Sequence, residues 1–218
     1  MIPVTIELVQ NLFLQSVGGF MTIAYSNIPD SLPLDLSTLK LTDEQFYQLC
    51  IANPEQPLEL TATGVLIVMS PVGGESGKRE LNLGAQIFVW NQITELGEVF
   101  SSSTIFKLPL GSQRSPDAAW VELSRWNALS DEDRQKFPPL APDFVIELRS
   151  RTDKLPELQA KTIEYRDNGV RLGLLINPQD RQVEIYRLGV EVEVIQSPAS
   201  VSCEDVLPGF ILNLDRII

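Results

Sequence analysis

Histidine is absent from the sequence. This absence excludes Ser-His and Cys-His nucleophilic catalysis, histidine general bases and histidine metal ligands. Any active site in this protein must therefore be built from carboxylates, lysine, arginine and hydroxyl groups.

Cysteine and long hydrophobic runs are also scarce. Only Cys50 and Cys203 are available for a disulfide, and with no secretory signal we expect reduced thiols in a cytoplasmic protein. The first twenty residues are fairly apolar, but Pro3, Glu7 and Gln10 interrupt them. They are too short and too polar to span a membrane, so no membrane partner is expected.

Basic residues are outnumbered, with 17 lysines and arginines against 29 acidic residues and a net charge of −12. The long-range field of such a protein repels nucleic acid. Any contact with DNA would therefore need a local basic patch.

The length of 218 residues is that of one domain with additions. We expect an N-terminal extension and lead-in over residues 1–40 and a single domain over residues 41–218. Gly18 and Gly19 precede Met21, which makes Met21 an alternative start.

The hydrophobic pattern predicts strands that interleave with two well-formed helices, which indicates an α/β or α+β fold with a central mixed sheet. Thr42 and Gln45 match a capping box for a short first helix. The longer helix is predicted over 76–96, with Leu81, Ala85 and Phe88 on its buried stripe and Gly97 as its stop. The predicted strands cover 58–60, 65–69, 99–100, 105–106, 117–123, 144–148, 172–176, 183–186, 190–194 and 210–214, and another helix covers 156–166.

Two acidic residues lie on predicted strands. Asp117 opens one strand, and in the strand 143–149 Glu147 shares a face with Arg149. An acid flanked by apolar strand residues is costly unless it is paired or binds a metal. Two carboxylates on adjacent strands would form a hard oxygen site for Mg²⁺ or Mn²⁺. The alternative is that Asp117 is a turn residue and that Glu147 pairs with Arg149 or a nearby lysine.

Lys161 lies on the stripe of the following helix that faces the sheet, three residues after Leu158 and four before Tyr165. It is either a cation held near a scissile phosphate or a lysine whose ammonium group extends past the core to solvent.

These segments together resemble the Uma2 family of endonucleases. The resemblance covers roughly Thr42 to the C-terminus, and it is carried by Ser115–Val121, Asp143–Leu148, Lys161–Tyr165 with Gly169–Val170, Met69–Glu75 and Phe106–Pro109. It implies the PD-(D/E)XK restriction-endonuclease-like fold, with a mixed central sheet flanked by helices and an acidic metal site. Asp117 matches the motif aspartate and Glu147 the second acid.

The resemblance also implies roles for the residues around this pair. The position two after Glu147 is Arg149 rather than lysine, and Lys161 matches a lysine that has moved onto the next helix. Glu80 is the better candidate for a further metal ligand and Glu75 the weaker one. The implied activity is Mg²⁺- or Mn²⁺-dependent hydrolysis of nucleic acid, in the first instance DNA, with a homodimer as one arrangement. The alternative is a non-catalytic binding or assembly module that retains the fold.

Overall fold

Residues 16–17, 20–21 and 31–218 are the part of the chain that the computed structural model describes. Two short strands, β1 (Ser16–Val17) and β2 (Phe20–Met21), pair antiparallel. The rest of the predicted extension over residues 1–20 lies outside the described residues. Its boundary and the alternative start at Met21 remain predictions.

The larger sheet has six strands in the order β13-β12-β11-β10-β9-β6. Their bounds are β6 Gly97–Ser101, β9 Ala118–Glu122, β10 Phe144–Leu148, β11 Leu172–Asn177, β12 Gln182–Arg187 and β13 Glu193–Gln196. In this sheet β10 and β11 are parallel, and all other neighbours are antiparallel. A parallel pair needs a crossover connection, and here a helix between the two strands provides it.

A second sheet of five antiparallel strands has the order β3-β5-β4-β8-β7. Its strands are β3 Ser31–Asp35, β4 Leu58–Leu60, β5 Val65–Met69, β7 Phe106–Lys107 and β8 Gln113–Arg114. The predicted lead-in therefore includes a paired strand. Near the C-terminus β14 (Ser200–Ser202) and β15 (Ile211–Asn213) form a separate antiparallel pair.

Five helices complete the described part of the chain. The capping box predicted at Thr42 and Gln45 is confirmed, because each side chain accepts a hydrogen bond from the backbone N–H of the other residue. Among the described residues, no helix is long and apolar enough to cross a membrane. The helices are α1 Asp43–Ala52, α2 Gly74–Thr94, α3 Leu123–Asn127, α4 Asp131–Gln135 and α5 Leu155–Asp167.

The six-stranded sheet buries both of its faces. Leu83 and Ile87 of α2 pack with the side chains of one face, including Trp120. Tyr165 of α5 packs against the other face, beside Val145. Because side chains alternate along a strand, Glu147 projects from the same face as Val145 and lies towards α5. The mixed sheet with helices on both faces confirms the predicted α/β class.

The predicted buried stripe of α2 is wrong. Leu81 and Phe88 are 74% and 53% exposed, whereas Leu83, Ile87 and Asn91 are buried. The helix has apolar residues at helical spacing on both sides. Periodicity alone could not tell which side would meet the sheet.

The predicted role of Gly97 as the helix stop is also wrong. Glu95 takes the left-handed conformation that ends α2, with φ of 53°, and Gly97 begins β6. A Cβ atom at Gly97 would lie 2.5 Å from the ring of Trp120, so this glycine permits close packing. Asn91 supports the contact, because its side chain bonds both the Gly97 backbone and the Trp120 indole N–H.

Candidate active site

A cavity of about 170 Å³ opens where the five-stranded sheet meets β10 and α5. The structure brings all four of the predicted site residues to it. Its ionisable lining residues include Glu59, Glu80, Arg114, Asp117, Glu147 and Lys161. We call this space the acidic cavity.

Asp117 and Glu147 belong to neighbouring antiparallel strands. Ile146 is paired with Ala118 in the register of β10 and β9, so the next position of this register sets Asp117 opposite Glu147. The Asp117 carboxylate accepts a hydrogen bond of 2.6 Å from the backbone N–H of Leu148. The two acids therefore lie side by side at the end of the strand pair.

Burial and mutual repulsion disfavour the charged forms of these two acids. Burial is the main cause that raises the pKa of Asp117 well above its ordinary value, and the neighbouring Glu147 raises it further. The pKa of Glu147 is also raised, first by burial and then by repulsion from Glu59, against the attraction of Lys161. A buried and a partly buried carboxylate that lie side by side favour a proton or a cation between them.

Lys161 lines the acidic cavity, and its ammonium group lies between Glu59 and Glu147. Its Nζ lies 2.9 Å from an oxygen of Glu59 and 2.9 Å from Oε1 of Glu147. It also donates to Oε2 of Glu147 at 3.2 Å and to the backbone carbonyl of Ser115 at 3.1 Å. Burial alone would lower the pKa of Lys161, but the surrounding acids raise it, so the ammonium group stays charged.

Two buried oxygens lie beside Lys161, Oε1 of Glu147 and the Tyr165 hydroxyl. Oε1 contacts the ammonium group at 2.9 Å as an ion pair, and the hydrogen bond from Lys161 goes to Oε2. Within the described part of the chain neither oxygen makes a hydrogen bond of standard geometry, although the Tyr165 hydroxyl is close enough to Glu147 to interact with it. Burial, followed by the charges of Glu147 and Glu59, raises the pKa of Tyr165 well above its ordinary value, so this hydroxyl stays protonated.

Glu59 and Arg114 are the functional-site residues that sequence reasoning missed. Arg114 donates to Glu59 at 3.0 Å and to Glu164 at 2.5 and 2.8 Å, and Glu59 also accepts from the Ser115 N–H at 2.9 Å. Burial would raise the pKa of Glu59, but Lys161 and Arg114 lower it overall, so this acid is ionised. In sequence Glu59 lies between two leucines of a strand, a pattern typical of a solvent-facing position.

The alternative that Glu147 pairs with Arg149 or a nearby lysine is confirmed for the lysine, Lys161, and is wrong for Arg149. Arg149 instead contacts Asp180 at 3.0 Å and donates to Asn177 at 3.3 Å. The cation beside Glu147 is Lys161, so the lysine that resembles the displaced family lysine is the one that reaches the acids.

The two candidates for a further ligand are placed differently. Glu80 lines the acidic cavity, accepts a hydrogen bond from the Ser102 hydroxyl and raises the pKa of Asp117. Glu75 is exposed, pairs with Lys78 at 3.0 Å and lies outside the acidic cavity. Glu80 is thus the only one of these two that faces Asp117.

The donors of the acidic cavity fit a hard divalent cation. Asp117 and Glu147 supply carboxylate oxygens, and Oε1 of Glu147 is buried without a hydrogen bond. Over residues 31–218 and the two short N-terminal strands, no three acidic or cysteine side chains are grouped closely enough to hold one ion. Mg²⁺ is commonly held by one or two carboxylates plus waters and substrate phosphates, and the carboxylate oxygens of Asp117 and Glu147 are compatible with such a site. The role of Glu80 as a ligand remains a prediction.

Comparisons with known proteins agree with this architecture. Residues 43–215 match the model of the Uma2 family, which is described as "Putative restriction endonuclease". The fold is similar to the crystal structure of "a putative nuclease belonging to DUF820" from Anabaena variabilis, with a TM-score of 0.62 and 19% sequence identity. The match covers 73% of this chain and 88% of the other. No match was found among curated proteins. At this identity the structural likeness shows the fold alone.

Proposed function

Because the chain belongs to the Uma2 family, we propose that it is a metal-dependent endonuclease that hydrolyses phosphodiester bonds of nucleic acid. The main support for this proposal is that Asp117, Glu147 and Lys161 all line one cavity. A buried and a partly buried carboxylate beside a largely buried cation form a site suited to a metal ion and a phosphate.

The residues of the acidic cavity have separate roles in this proposal. Asp117 and Glu147 hold Mg²⁺ or Mn²⁺, with Glu80 as a further ligand. The bound ion supplies a Lewis acid that lowers the pKa of a water and offsets charge on the phosphate oxygens. Lys161 orients Glu147 and presents positive charge to the phosphate. Because the pKa of Lys161 is raised, it acts as a cation rather than as a general base.

Glu59 and Arg114 are positioning residues. Glu59 shares the Lys161 ammonium group with Glu147, and Arg114 balances the charge of Glu59 and Glu164. These ion pairs fix the direction of the Lys161 side chain, whose long aliphatic part would otherwise be flexible. We propose DNA as the substrate and the cytoplasm as the compartment, where the free thiols of Cys50 and Cys203 stay reduced.

A second candidate function, a non-catalytic binding or assembly module, is favoured by the same network. The ammonium group of Lys161 already contacts two carboxylates and one carbonyl. In this reading the buried charges serve only to join the two sheets. The net charge of −12 also opposes binding of nucleic acid.

The replacement Glu147→Gln separates the two candidates. If the protein is a nuclease, this change should lower plasmid and oligonucleotide cleavage by at least about 100-fold, because it removes a carboxylate that the metal needs. The assay uses Mn²⁺ at low salt, with a melting curve for each variant. Glu98→Gln, at an exposed position outside the cavity, is the matched control. Wild-type protein that cleaves nothing, or a Glu147→Gln variant as active as wild type, would refute the nuclease proposal.

We also propose that the nuclease is a homodimer joined through the exposed side of α2, opposite the side that packs on the sheet. Leu81, Phe88 and Ile93 are 74%, 53% and 80% exposed. No charged residue occurs from Leu81 to Thr94, so this face lets two copies approach despite a net charge of −12 each. An antiparallel pair of α2 helices would be self-complementary, as a two-fold interface requires.

Sedimentation velocity tests the homodimer. The wild-type protein should sediment as a dimer at micromolar concentration, and Phe88→Glu should convert it to a monomer by bringing like charges together across the two-fold axis. Leu110→Glu, at a position 63% exposed elsewhere, should leave the dimer intact. A monomeric wild type, or dissociation by both variants, would contradict the α2 interface.

A further inference from the structure

A groove of about 630 Å³ adjoins the acidic cavity. It lies between the start of α2, the loop that follows β10 and the turn between β11 and β12. The groove shares Val72, Ser76 and Ser150 with the acidic cavity. Three arginines line it, Arg79, Arg149 and Arg151, and we call it the arginine groove.

The arginine groove contains basic groups that the fold does not use. Twelve of the 17 basic side chains form ion pairs among the described residues. Arg79 and Arg151 belong to the remainder, so neither is in direct contact with an acid in the part of the chain that the structure describes. Glu75 also lines the groove; it is in contact with Lys78 and interacts with Arg79 at longer range. Arg149 is fixed by Asp180 and Asn177. In so acidic a protein, cations without a direct acidic contact at one place are the local basic patch that nucleic acid would need.

The backbone at the start of α2 leaves room for a ligand. Gly73 precedes the helix with an ordinary φ of −72° and supplies no side-chain cap. A Cβ atom at Gly73 or Gly74 would meet no atom within 4 Å, so neither glycine is needed for packing. Glycine within a helix costs about 1 kcal/mol relative to alanine. Small residues on this wall allow a strand of nucleic acid to approach the backbone and the positive end of the helix dipole.

We propose that the arginine groove binds the phosphodiester backbone of the strand that enters the acidic cavity. This inference rests on the proposed nuclease function and adds to it the surface that holds the substrate. Arg79 and Arg151 contact phosphates directly, and Arg149 presents a fixed guanidinium group between them and the acidic cavity. The planar fork of arginine matches the phosphate oxygens, so binding depends on the backbone rather than on base sequence.

The test is the anisotropy of a fluorescent 20-nucleotide duplex at increasing salt, with Ca²⁺ added in place of Mg²⁺. The double variant Arg79→Ala/Arg151→Ala should weaken binding at least 10-fold and reduce the slope of log affinity against log salt by about 2. Lys40→Ala/Arg216→Ala removes the same charge at two exposed positions outside the groove. This control should bind within about twofold of wild type.

Two outcomes would overturn the arginine groove as the binding surface. One is a wild-type protein that binds no duplex at low salt, and the other is an equal loss of affinity in the two double variants. Cleavage is measured separately on the same proteins. Loss of binding in the groove variant without any wild-type cleavage would support the groove and refute the nuclease. Cleavage by the wild type together with unchanged duplex binding by the groove variant would support the nuclease and refute the groove.

Discussion

Asp117→Asn should abolish metal-dependent cleavage and, without metal, make the protein more stable. The Asp117 side chain is partly buried, and desolvation, followed by repulsion from Glu147, raises the pKa of its carboxyl well above the ordinary value. Asparagine keeps an oxygen that can accept from the Leu148 N–H and removes the charge. We expect the free energy of unfolding at neutral pH to rise by about 1 to 3 kcal/mol.

The pH dependence of this effect has a definite sign. The folded protein holds the Asp117 proton to a higher pH than the unfolded chain does. Its contribution therefore lowers stability as pH rises from the unfolded pKa through the folded pKa. Asp117→Asn should remove that decline, so wild type and variant should differ least near pH 4 and most at higher pH.

Addition of metal should make the wild type more stable than Asp117→Asn. Mg²⁺ or Mn²⁺ that binds only the folded state raises the melting temperature of the wild type by mass action. Asp117→Asn should respond little, because one of the two carboxylates is gone. The measurement is a thermal-shift titration with each ion at pH 5 and pH 8. The site as described would be contradicted if neither ion changed the melting temperature of the wild type. It would also be contradicted if the variant were less stable than the wild type without metal.

Local elements of the fold could be predicted from the sequence because their signals are local. The capping box at Thr42 and Gln45 satisfies backbone groups within one turn. The strand over 144–148 is bounded as predicted because all of its residues except Glu147 are β-branched or apolar. The strand predicted over 190–194 is displaced to Glu193–Gln196. Its exposed residues give little hydrophobic pattern to fix its start.

The sequence could not predict which of two apolar surfaces of an element becomes buried, because the answer depends on distant contacts. The two sides of α2 are similarly apolar, and they differ only in that Leu83 and Ile87 pack against the sheet. The same holds for Glu59, which is buried only because Arg114 and Lys161 reach it from β8 and α5. Asp117, Glu147 and Lys161 could be identified because their segments resemble those of a family. The partners of Lys161 depend on contacts between the two sheets.

Lys161→Met should destabilise the protein by about 3 to 5 kcal/mol, because it leaves Glu147 and Glu59 buried without their shared cation. Methionine retains most of the length of the side chain, so packing is nearly conserved. Loss of cleavage in this variant would therefore not by itself assign Lys161 to catalysis. The informative comparison is a double-mutant cycle that measures stability and activity together.

The double variant Lys161→Met/Glu147→Gln should recover at least about 1 kcal/mol of the loss, because it removes the charge of Glu147, whereas Glu59 keeps Arg114 as a partner. Activity should not recover, since both the metal ligand and the phosphate-facing cation are then missing. Arg149→Met is the control for removal of a cation from a less buried pair. Its partner Asp180 is 54% exposed, so the cost should be about 1 kcal/mol or less. Equal costs for Lys161→Met and Arg149→Met, measured by urea denaturation, would show that the buried charge network does not hold the acidic cavity together.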